Sequence, residues 1–307
     1  MTELQRYLAE EVAEDHADGI ITRRDAVRRL GLLGVTGAAA AALLAGTAGD
    51  AAARHPDDPE RHRGRGRPGN DRGRRSTAGD WAPVATEAVT FAGPGGRLMA
   101  AWAPAAGRRR GAVLVIHENR GLNDHIRNVA GRFAAGGYSA LDLLSEEGGT
   151  ASFPGEAEVA AALSAAPPER FDADMRAAVT ELRSRVPRRP ISAIGFCFGG
   201  GMVWRLLVAG ERRLAAAAPF YGPFPAGGDL SGARAAVLGV YGGLDARVNA
   251  TRDAARAALE AAGLEHRILT FTEADHAFFN DTGPRFNAPA AEEAWHRVLG
   301  WFHRRED

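Results

Sequence analysis

The chain has 307 residues, enough for one large domain or two small ones, and 45% of them are hydrophobic, as in a globular protein with a full core. Basic and acidic side chains number 38 each, so the net charge gives no bias toward nucleic acid or a membrane surface, and we expect no nucleic-acid partner. A single cysteine, Cys197, excludes an intrachain disulfide and a zinc site built from several cysteines.

Residues 1–53 have the pattern of an export signal. Residues 2–19 are polar with a weak helical period, and the basic pair Arg23-Arg24 then precedes an apolar, Gly- and Ala-rich run that reaches Leu44. This order resembles a twin-arginine signal, which implies export of the folded protein by the twin-arginine machinery as a transient partner. An uncleaved signal would tether the protein to the membrane. The alternatives are a cytoplasmic amphipathic extension and a single membrane span.

Residues 54–80 consist mainly of Arg, Gly, Pro, Asp and His. They contain too little apolar surface to offset the entropy of ordering, so we expect a flexible linker ahead of a domain over 81–307. The alternative is that the arginines from Arg61 to Arg75 contact an anionic surface or RNA.

The domain over 81–307 alternates between strand-like and helix-like segments. Apolar runs bounded by turn residues predict strands at 87–91, 98–102, 112–116, 138–143, 190–193, 215–220, 236–241 and 267–271. Amphipathic periodicity predicts helices at 126–133, 172–185, 202–207, 251–262 and 290–303. Strands that alternate with helices predict an α/β fold whose mostly parallel sheet carries helices on both faces.

The segment around Cys197 organises this domain. It reads strand, Gly-x-nucleophile-x-Gly, helix, with Gly195 and Gly199 as the two glycines. Strand and helix nearly touch at such a turn, so both flanking positions require small residues. Cys197 stands where the nucleophile is expected. The alternative is that Cys197 is a small buried hydrophobic residue.

Polar residues follow other predicted strands at the sheet edge where α/β proteins place their chemistry. Glu118 follows strand 112–116, Asp245 follows strand 236–241, and His276 follows strand 267–271. Taken singly, such an Asp is usually a turn residue and a lone His is usually structural. Together they give the chain order nucleophile, Asp, His, which is the order of the α/β-hydrolase triad.

The chain from about residue 85 to 305 resembles the dienelactone hydrolases, a cysteine-nucleophile branch of the α/β-hydrolases. The segments that carry the resemblance are spread along the domain, at 117–123, 142–145, 195–200, 243–245 and 276–281. The resemblance implies an α/β-hydrolase fold with Cys197 as nucleophile and Asp245 and His276 as its partners. It also implies that Glu118 interacts with the resting thiol and helps to convert it to thiolate when substrate arrives. The implied reaction is hydrolysis of an enol-lactone to a keto acid.

The expected mechanism uses Cys197, His276 and Asp245. A helix N-terminus favours a thiolate at Cys197, His276 acts as the base, and Asp245 orients the imidazole. The expected oxyanion-hole donors are the backbone N–H groups of Phe198 and Asn119. We expect no cofactor and no metal, a small-molecule lactone or ester as the partner, and a monomer or small homo-oligomer.

The substrate stays open at this point. Family members active on dienelactone bind the substrate carboxylate with arginines, one of them shortly after the catalytic histidine, whereas the nearest arginine after His276 here is Arg285. An enol-lactone, another activated ester and a thioester are all compatible with this sequence. A general carboxylesterase or acyltransferase on the same triad is one alternative. An exported, non-catalytic binding protein on a hydrolase scaffold is another.

A metal site is a further alternative. His117, Glu118, Asp124 and His125 cluster in one segment, and histidine with carboxylate can bind zinc. The other interpretation is that His117 packs near the sheet end while Asp124 caps the next helix.

Overall fold

The computed structural model describes residues 1–54, 83–144 and 153–305, and it describes side chains for 1–47, 83–140 and 153–305. The linker predicted over 54–80 therefore lies outside the described residues except for Arg54. The chain divides into two compact units. One is Met1–Asp80 with Ala160–Ala165, and the other is Trp81–Val159 with Ala166–Asp307.

The first unit contains three helices, α1 (Glu3–Ala17), α2 (Arg23–Leu32) and α3 (Gly37–Arg54), with α1 packed against both others. Threonine side chains cap α1 and α2, Thr2 accepting from the backbone N–H of Gln5 and Thr22 from that of Asp25. Within the described residues, no helix combines the length and the hydropathy needed to cross a bilayer.

The second unit is built on one eight-stranded sheet in the order β1-β2-β4-β3-β5-β6-β7-β8. The strands are β1 (Glu87–Gly93), β2 (Gly96–Ala103), β3 (Gly111–Ile116), β4 (Tyr138–Leu144), β5 (Ile191–Phe196), β6 (Leu214–Phe220), β7 (Ala236–Gly242) and β8 (His266–Phe271). β2 pairs antiparallel with β1 and β4, and all other pairs are parallel. The predicted fold class and all eight predicted strands are confirmed.

The remaining described helices are α4 (Asp124–Ala135), α5 (Glu156–Ala165), α6 (Pro168–Arg185), α7 (Phe198–Val208), α8 (Ala246–Asn249), α9 (Arg252–Ala261) and α10 (Ala288–His303). All of them belong to the second unit except Ala160–Ala165 of α5, which belong to the first. Every residue of β3, β5 and β7 is buried, which requires cover on both faces of the sheet. The sequence predicted five of these helices and did not predict α5 and α8. α4 is capped by Asn123, whose side chain accepts from Ile126 N at 3.1 Å, so the alternative that Asp124 caps this helix is wrong.

Three phenylalanines support the edge of the sheet where the strands end. Phe196 of β5 packs against Phe220 of β6 and Phe279 with ring centroids 5.1 and 5.2 Å apart, and Phe220 and Phe279 lie 5.5 Å apart. Phe279 follows β8 in the chain, so this cluster fixes the loop after β8 against the two central strands.

Candidate active site

Cys197 occupies a sharp turn between β5 and α7. Its backbone has φ 56° and ψ −118°, a conformation that a residue with a side chain adopts only when its surroundings impose it. A Cβ on Gly195 would lie 2.1 Å from the backbone oxygen of Gly199, and one on Gly199 would lie 2.3 Å from that of Ile116. Both glycines are therefore required by close backbone approach, as the sequence predicted for a nucleophile elbow.

A second glycine pair, which the sequence analysis missed, tightens the same turn. A Cβ on Gly200 would lie 2.3 Å from the backbone oxygen of Phe220, and one on Gly222 would lie 2.2 Å from the carbonyl carbon of Gly200. The N–H of Cys197 donates to Phe220 O at 3.1 Å. The backbone after β6 thus braces the elbow from the side opposite to β3.

Asp245 and His276 meet as predicted. Nδ1 of His276 lies 2.7 Å from Oδ2 of Asp245, and both side chains are buried. The other Asp245 oxygen accepts from Val248 N at 3.0 Å and so caps α8. Because Asp245 engages Nδ1, Nε2 is the ring nitrogen available to Cys197, whose sulfur and a His276 ring nitrogen lie within 4.8 Å of each other.

Electrostatics favour a charged His276. Burial opposes its protonation, but the carboxylate of Asp245 and then the Cys197 sulfur hold the pKa of His276 well above its usual value. In the same way, burial opposes ionisation of Asp245, but His276 keeps the pKa of Asp245 below its usual value. The Asp245 carboxylate is therefore placed to stabilise the imidazolium that forms when His276 takes a proton.

Glu118 lies in the turn after β3 and its carboxylate is buried. Nδ2 of Asn280 donates to Glu118 Oε2 at 2.8 Å, and Oδ1 of Asn280 accepts from both the N–H and the hydroxyl of Thr282, which fixes the amide's orientation. Oε1 of Glu118 has no hydrogen-bond partner among the described residues. Asn280 lies in the segment 276–281 that carries the family resemblance, but the sequence analysis assigned it no role because it occupies no triad position.

The loop that carries His276 is also anchored to α4. Asp281 accepts from His125 at 2.8 Å, through Oδ1, and from Arg132 at 2.5 Å, through Oδ2. The hydrogen bond from His125, together with Arg132, holds the pKa of Asp281 well below its usual range. This network joins residues far apart in sequence and fixes the loop from its outer side.

The four candidate zinc ligands have separate partners. Nδ1 of His117 lies 2.6 Å from the backbone oxygen of Glu118, and burial lowers the pKa of His117 to about 4, so its ring is neutral and stacks on Phe198 at 6.0 Å. His125 pairs with Asp281 instead. In the part of the chain that the structure describes, His117, Glu118, Asp124 and His125 do not bring three ligand atoms together. The arrangement gives the zinc alternative no support.

Tyr221 is a site residue that the sequence analysis missed. It follows β6 directly, is fully buried, and packs its ring edge-on to His276 with centroids 5.3 Å apart. Its only sequence signal is its place immediately after a strand.

With this geometry in hand, comparison with known proteins identifies the relatives of the chain. The sequence model of the dienelactone hydrolase family matches residues 99–305. The chain belongs to the dienelactone hydrolase family. This membership confirms the resemblance read from the motifs, and it favours an ester or lactone hydrolase over the non-catalytic binding protein that the sequence left open.

Individual relatives of this dienelactone hydrolase family member support the same assignment. A protein of Escherichia coli O157:H7 named "Putative carboxymethylenebutenolidase" is 32% identical over 208 residues, which cover 62% of this chain and 75% of the relative. A crystal structure from Klebsiella pneumoniae subsp. pneumoniae MGH 78578, of a protein named "Putative Dienelactone Hydrolase", is 26% identical with a TM-score of 0.62, covering 71% of this chain and 97% of the other. A dienelactone hydrolase-like promiscuous phosphotriesterase from metagenomic libraries shares the fold, with 24% identity, a TM-score of 0.63, and coverage of 73% and 99%.

Proposed function

We propose that this protein hydrolyses a lactone or an activated ester through an acyl-enzyme on Cys197. The observation that carries the proposal is the buried Asp245–His276 hydrogen bond of 2.7 Å beside a cysteine on a glycine-framed elbow. A thiolate is the nucleophilic form of cysteine, and a neighbouring imidazolium stabilises it.

Acylation begins when Nε2 of His276 takes the thiol proton of Cys197. The sulfur attacks the carbonyl carbon, a C–S bond forms, and the carbonyl electron pair moves to the oxygen. The N–H of Phe198 supports this oxyanion, because Phe198 is the first residue of α7 and its N–H has no acceptor within the helix. The N–H of Asn119 is the second proposed donor. Collapse of the intermediate breaks the C–O bond, and the leaving oxygen takes the proton from His276.

Deacylation reverses the roles of the same groups. His276 removes a proton from water, the hydroxide oxygen attacks the thioester carbon, and the C–S bond breaks with return of the proton to sulfur. Asp245 stays ionised and holds the imidazole throughout. The products are a carboxylic acid and an alcohol or enol, which remain one molecule when the substrate is a lactone. A thioesterase or acyltransferase would use the same steps with another leaving group or acceptor.

The surroundings of Glu118 favour a substrate without a carboxylate at this position. Among the described residues, the hydrogen-bond partner of the Glu118 carboxylate is the neutral amide of Asn280, so no cation there offsets its charge through a hydrogen bond. A second carboxylate beside it would be repelled. We therefore expect uncharged lactones and esters to be better substrates than carboxylate-bearing lactones such as dienelactone.

The test compares Cys197→Ala with the parent protein on a panel of lactones, esters and thioesters. Turnover should fall by roughly 10⁵–10⁶-fold in Cys197→Ala, and mass spectrometry of the parent should detect an acyl group on Cys197. Ser192→Ala, which trims a small buried side chain earlier in β5, is the matched control and should keep full activity. Full activity in Cys197→Ala would contradict the mechanism.

We also propose that residues 1–53 direct export of the folded protein. The support is the Arg23-Arg24 pair ahead of the weakly apolar run, and both arginines are exposed at the start of α2.

A further inference from the structure

Tyr221 and Glu118 each carry a buried polar atom that has no hydrogen-bond partner among the described residues. These atoms are the hydroxyl of Tyr221 and Oε1 of Glu118. Tyr221 is 0% exposed and Glu118 is 3% exposed. Leaving a buried donor unpaired costs stability, so each such group calls for an explanation, and for a group among catalytic side chains a bound substrate is one.

The backbone of Tyr221 is held in a strained position. Its φ is 34°, unusual for a residue with a side chain, and its N–H donates to Val240 O at 2.7 Å. The next residue, Gly222, is crowded against Gly200 of the elbow. The strain therefore fixes the tyrosine relative to Cys197, and strained residues cluster at functional sites.

The ring of Tyr221 lies among the catalytic groups. It packs edge-on to His276 at 5.3 Å and against Phe278 at 5.5 Å. Burial, followed by the negative charges of Glu118 and Cys197, raises the pKa of Tyr221 well above its usual value. The hydroxyl therefore keeps its proton near neutral pH, where it is a neutral hydrogen-bond donor or acceptor.

The sheet order places this donor on one side of the nucleophile. β5 carries Cys197, β3 lies on one side of β5, and β6 lies on the other. The proposed oxyanion donor Asn119 follows β3. Tyr221 follows β6, on the same side as β7 and β8, which position Asp245 and His276. The hydroxyl thus approaches from the side of His276, the residue that protonates the leaving oxygen.

We propose that Tyr221 is a further catalytic residue, whose hydroxyl donates a hydrogen bond to the leaving oxygen of the bound ester or lactone. The inference rests on the proposed hydrolase function. Tyr221 keeps its proton throughout, and the proton that the leaving oxygen acquires comes from His276. The hydrogen bond stabilises the charge that develops on this oxygen as the C–O bond breaks.

The experiment compares Tyr221→Phe with Tyr241→Phe in the full chain. Tyr241 is a matched control because it is also a buried tyrosine, on β7, and it is not placed in the machinery. The substrates are p-nitrophenyl acetate, whose leaving group departs readily, and p-methylphenyl acetate, whose leaving group needs more help. In Tyr221→Phe, kcat/KM for the p-methylphenyl ester should fall by at least about tenfold, and for the p-nitrophenyl ester by less than about threefold.

Two further readouts test whether the change is confined to the leaving-group step. Thermal unfolding of Tyr221→Phe should match the parent or improve, since only an unpartnered hydroxyl is removed, and the pH profile of Cys197 alkylation should not move. Equal losses on both esters, or no loss, would overturn the proposal while leaving the hydrolase function intact. A parent protein that turns over neither ester and forms no acyl adduct would overturn the function itself.

Discussion

At the residue scale, Glu118 is a buried carboxylate close to the elbow, and its described hydrogen bond comes from the neutral Asn280. A negative charge near a thiol disfavours the thiolate by like-charge repulsion. The same carboxylate can accept the thiol proton once a substrate displaces it. Both effects would keep the resting cysteine neutral and less prone to oxidation.

The variant Glu118→Gln tests this role. Gln keeps an oxygen for Asn280 but removes the charge, so the pH midpoint for iodoacetamide labelling of Cys197 should move down by about one pH unit without substrate, while turnover falls. Glu181→Gln, which removes a carboxylate paired with Arg185 on the outer helix α6, is the control and should change neither quantity. If labelling and turnover of Glu118→Gln both match the parent, Glu118 only pairs with its neighbours.

At the scale of elements, the elbow depends on the absence of side chains at its glycines. In Gly195→Ala the new Cβ would meet backbone atoms of Gly199, which cannot move away without opening the turn. We expect the free energy of unfolding to fall by about 1–3 kcal/mol or more, with loss of activity. Urea denaturation followed by circular dichroism measures this change.

The control for this steric argument is Gly300→Ala in α10. A Cβ at Gly300 meets no atom within 4 Å, so the substitution should leave stability unchanged or raise it by up to about 1 kcal/mol. An equal loss in both variants would mean that glycine substitution destabilises this protein generally, without a special role for the elbow.

The contact between the His276 loop and α4 gives a pH-dependent prediction. Since His125 and Arg132 depress the pKa of Asp281 in the folded protein, the contact stabilises the fold above the unfolded pKa of Asp, near 3.9, and this stabilisation is lost as pH falls below it. Asp281 is about one-third exposed, so solvent screening reduces the contribution of this contact to the free energy of unfolding. Asp281→Asn should lower the free energy of unfolding by about 1–2 kcal/mol at pH 7.

Urea denaturation of Asp281→Asn and of the parent at pH 7 and at pH 3 checks this pH dependence. The difference in the free energy of unfolding between the two proteins should shrink at pH 3, where the Asp281 carboxylate of the parent begins to be protonated. A difference that stays constant with pH would show that Asn disturbs packing and that the charge of Asp281 is not the cause.

The strands and most of the helices could be predicted from the sequence, but α5 and α8 could not. The eight strands have clear apolar runs and turn residues at their ends, and the elbow helix follows a glycine frame. In contrast, α5 is an Ala-rich segment without a marked apolar stripe, and α8 has only four residues, too few for periodicity. The cap of α4 was placed one residue late because Asn123 and Asp124 are both good capping residues.

At the scale of the whole molecule, the parallel sheet brings the site together. Asp245 and His276 lie 31 residues apart in sequence, and Glu118 and Asn280 lie 162 apart. That Cys197, Asp245 and His276 lie together could be predicted because each follows a strand, and strand ends share one edge of the sheet. The sequence could not predict that Asn280 binds Glu118 or that Tyr221 faces His276, because these contacts depend on side-chain packing between loops.

The export proposal concerns the chain as a whole, because a twin-arginine route moves a protein after it has folded, and this domain needs its complete sheet to assemble the site. The variant Arg23→Lys with Arg24→Lys keeps the positive charge but loses the guanidinium groups, which bind carboxylates in a two-point geometry that lysine cannot reproduce. We expect this protein to accumulate in the cytoplasm with its esterase activity intact, measured by cell fractionation. Arg28→Lys with Arg29→Lys, in the same helix, is the control and should be exported normally. Normal export of the first variant, or retention of both, would contradict a role for the Arg23-Arg24 pair.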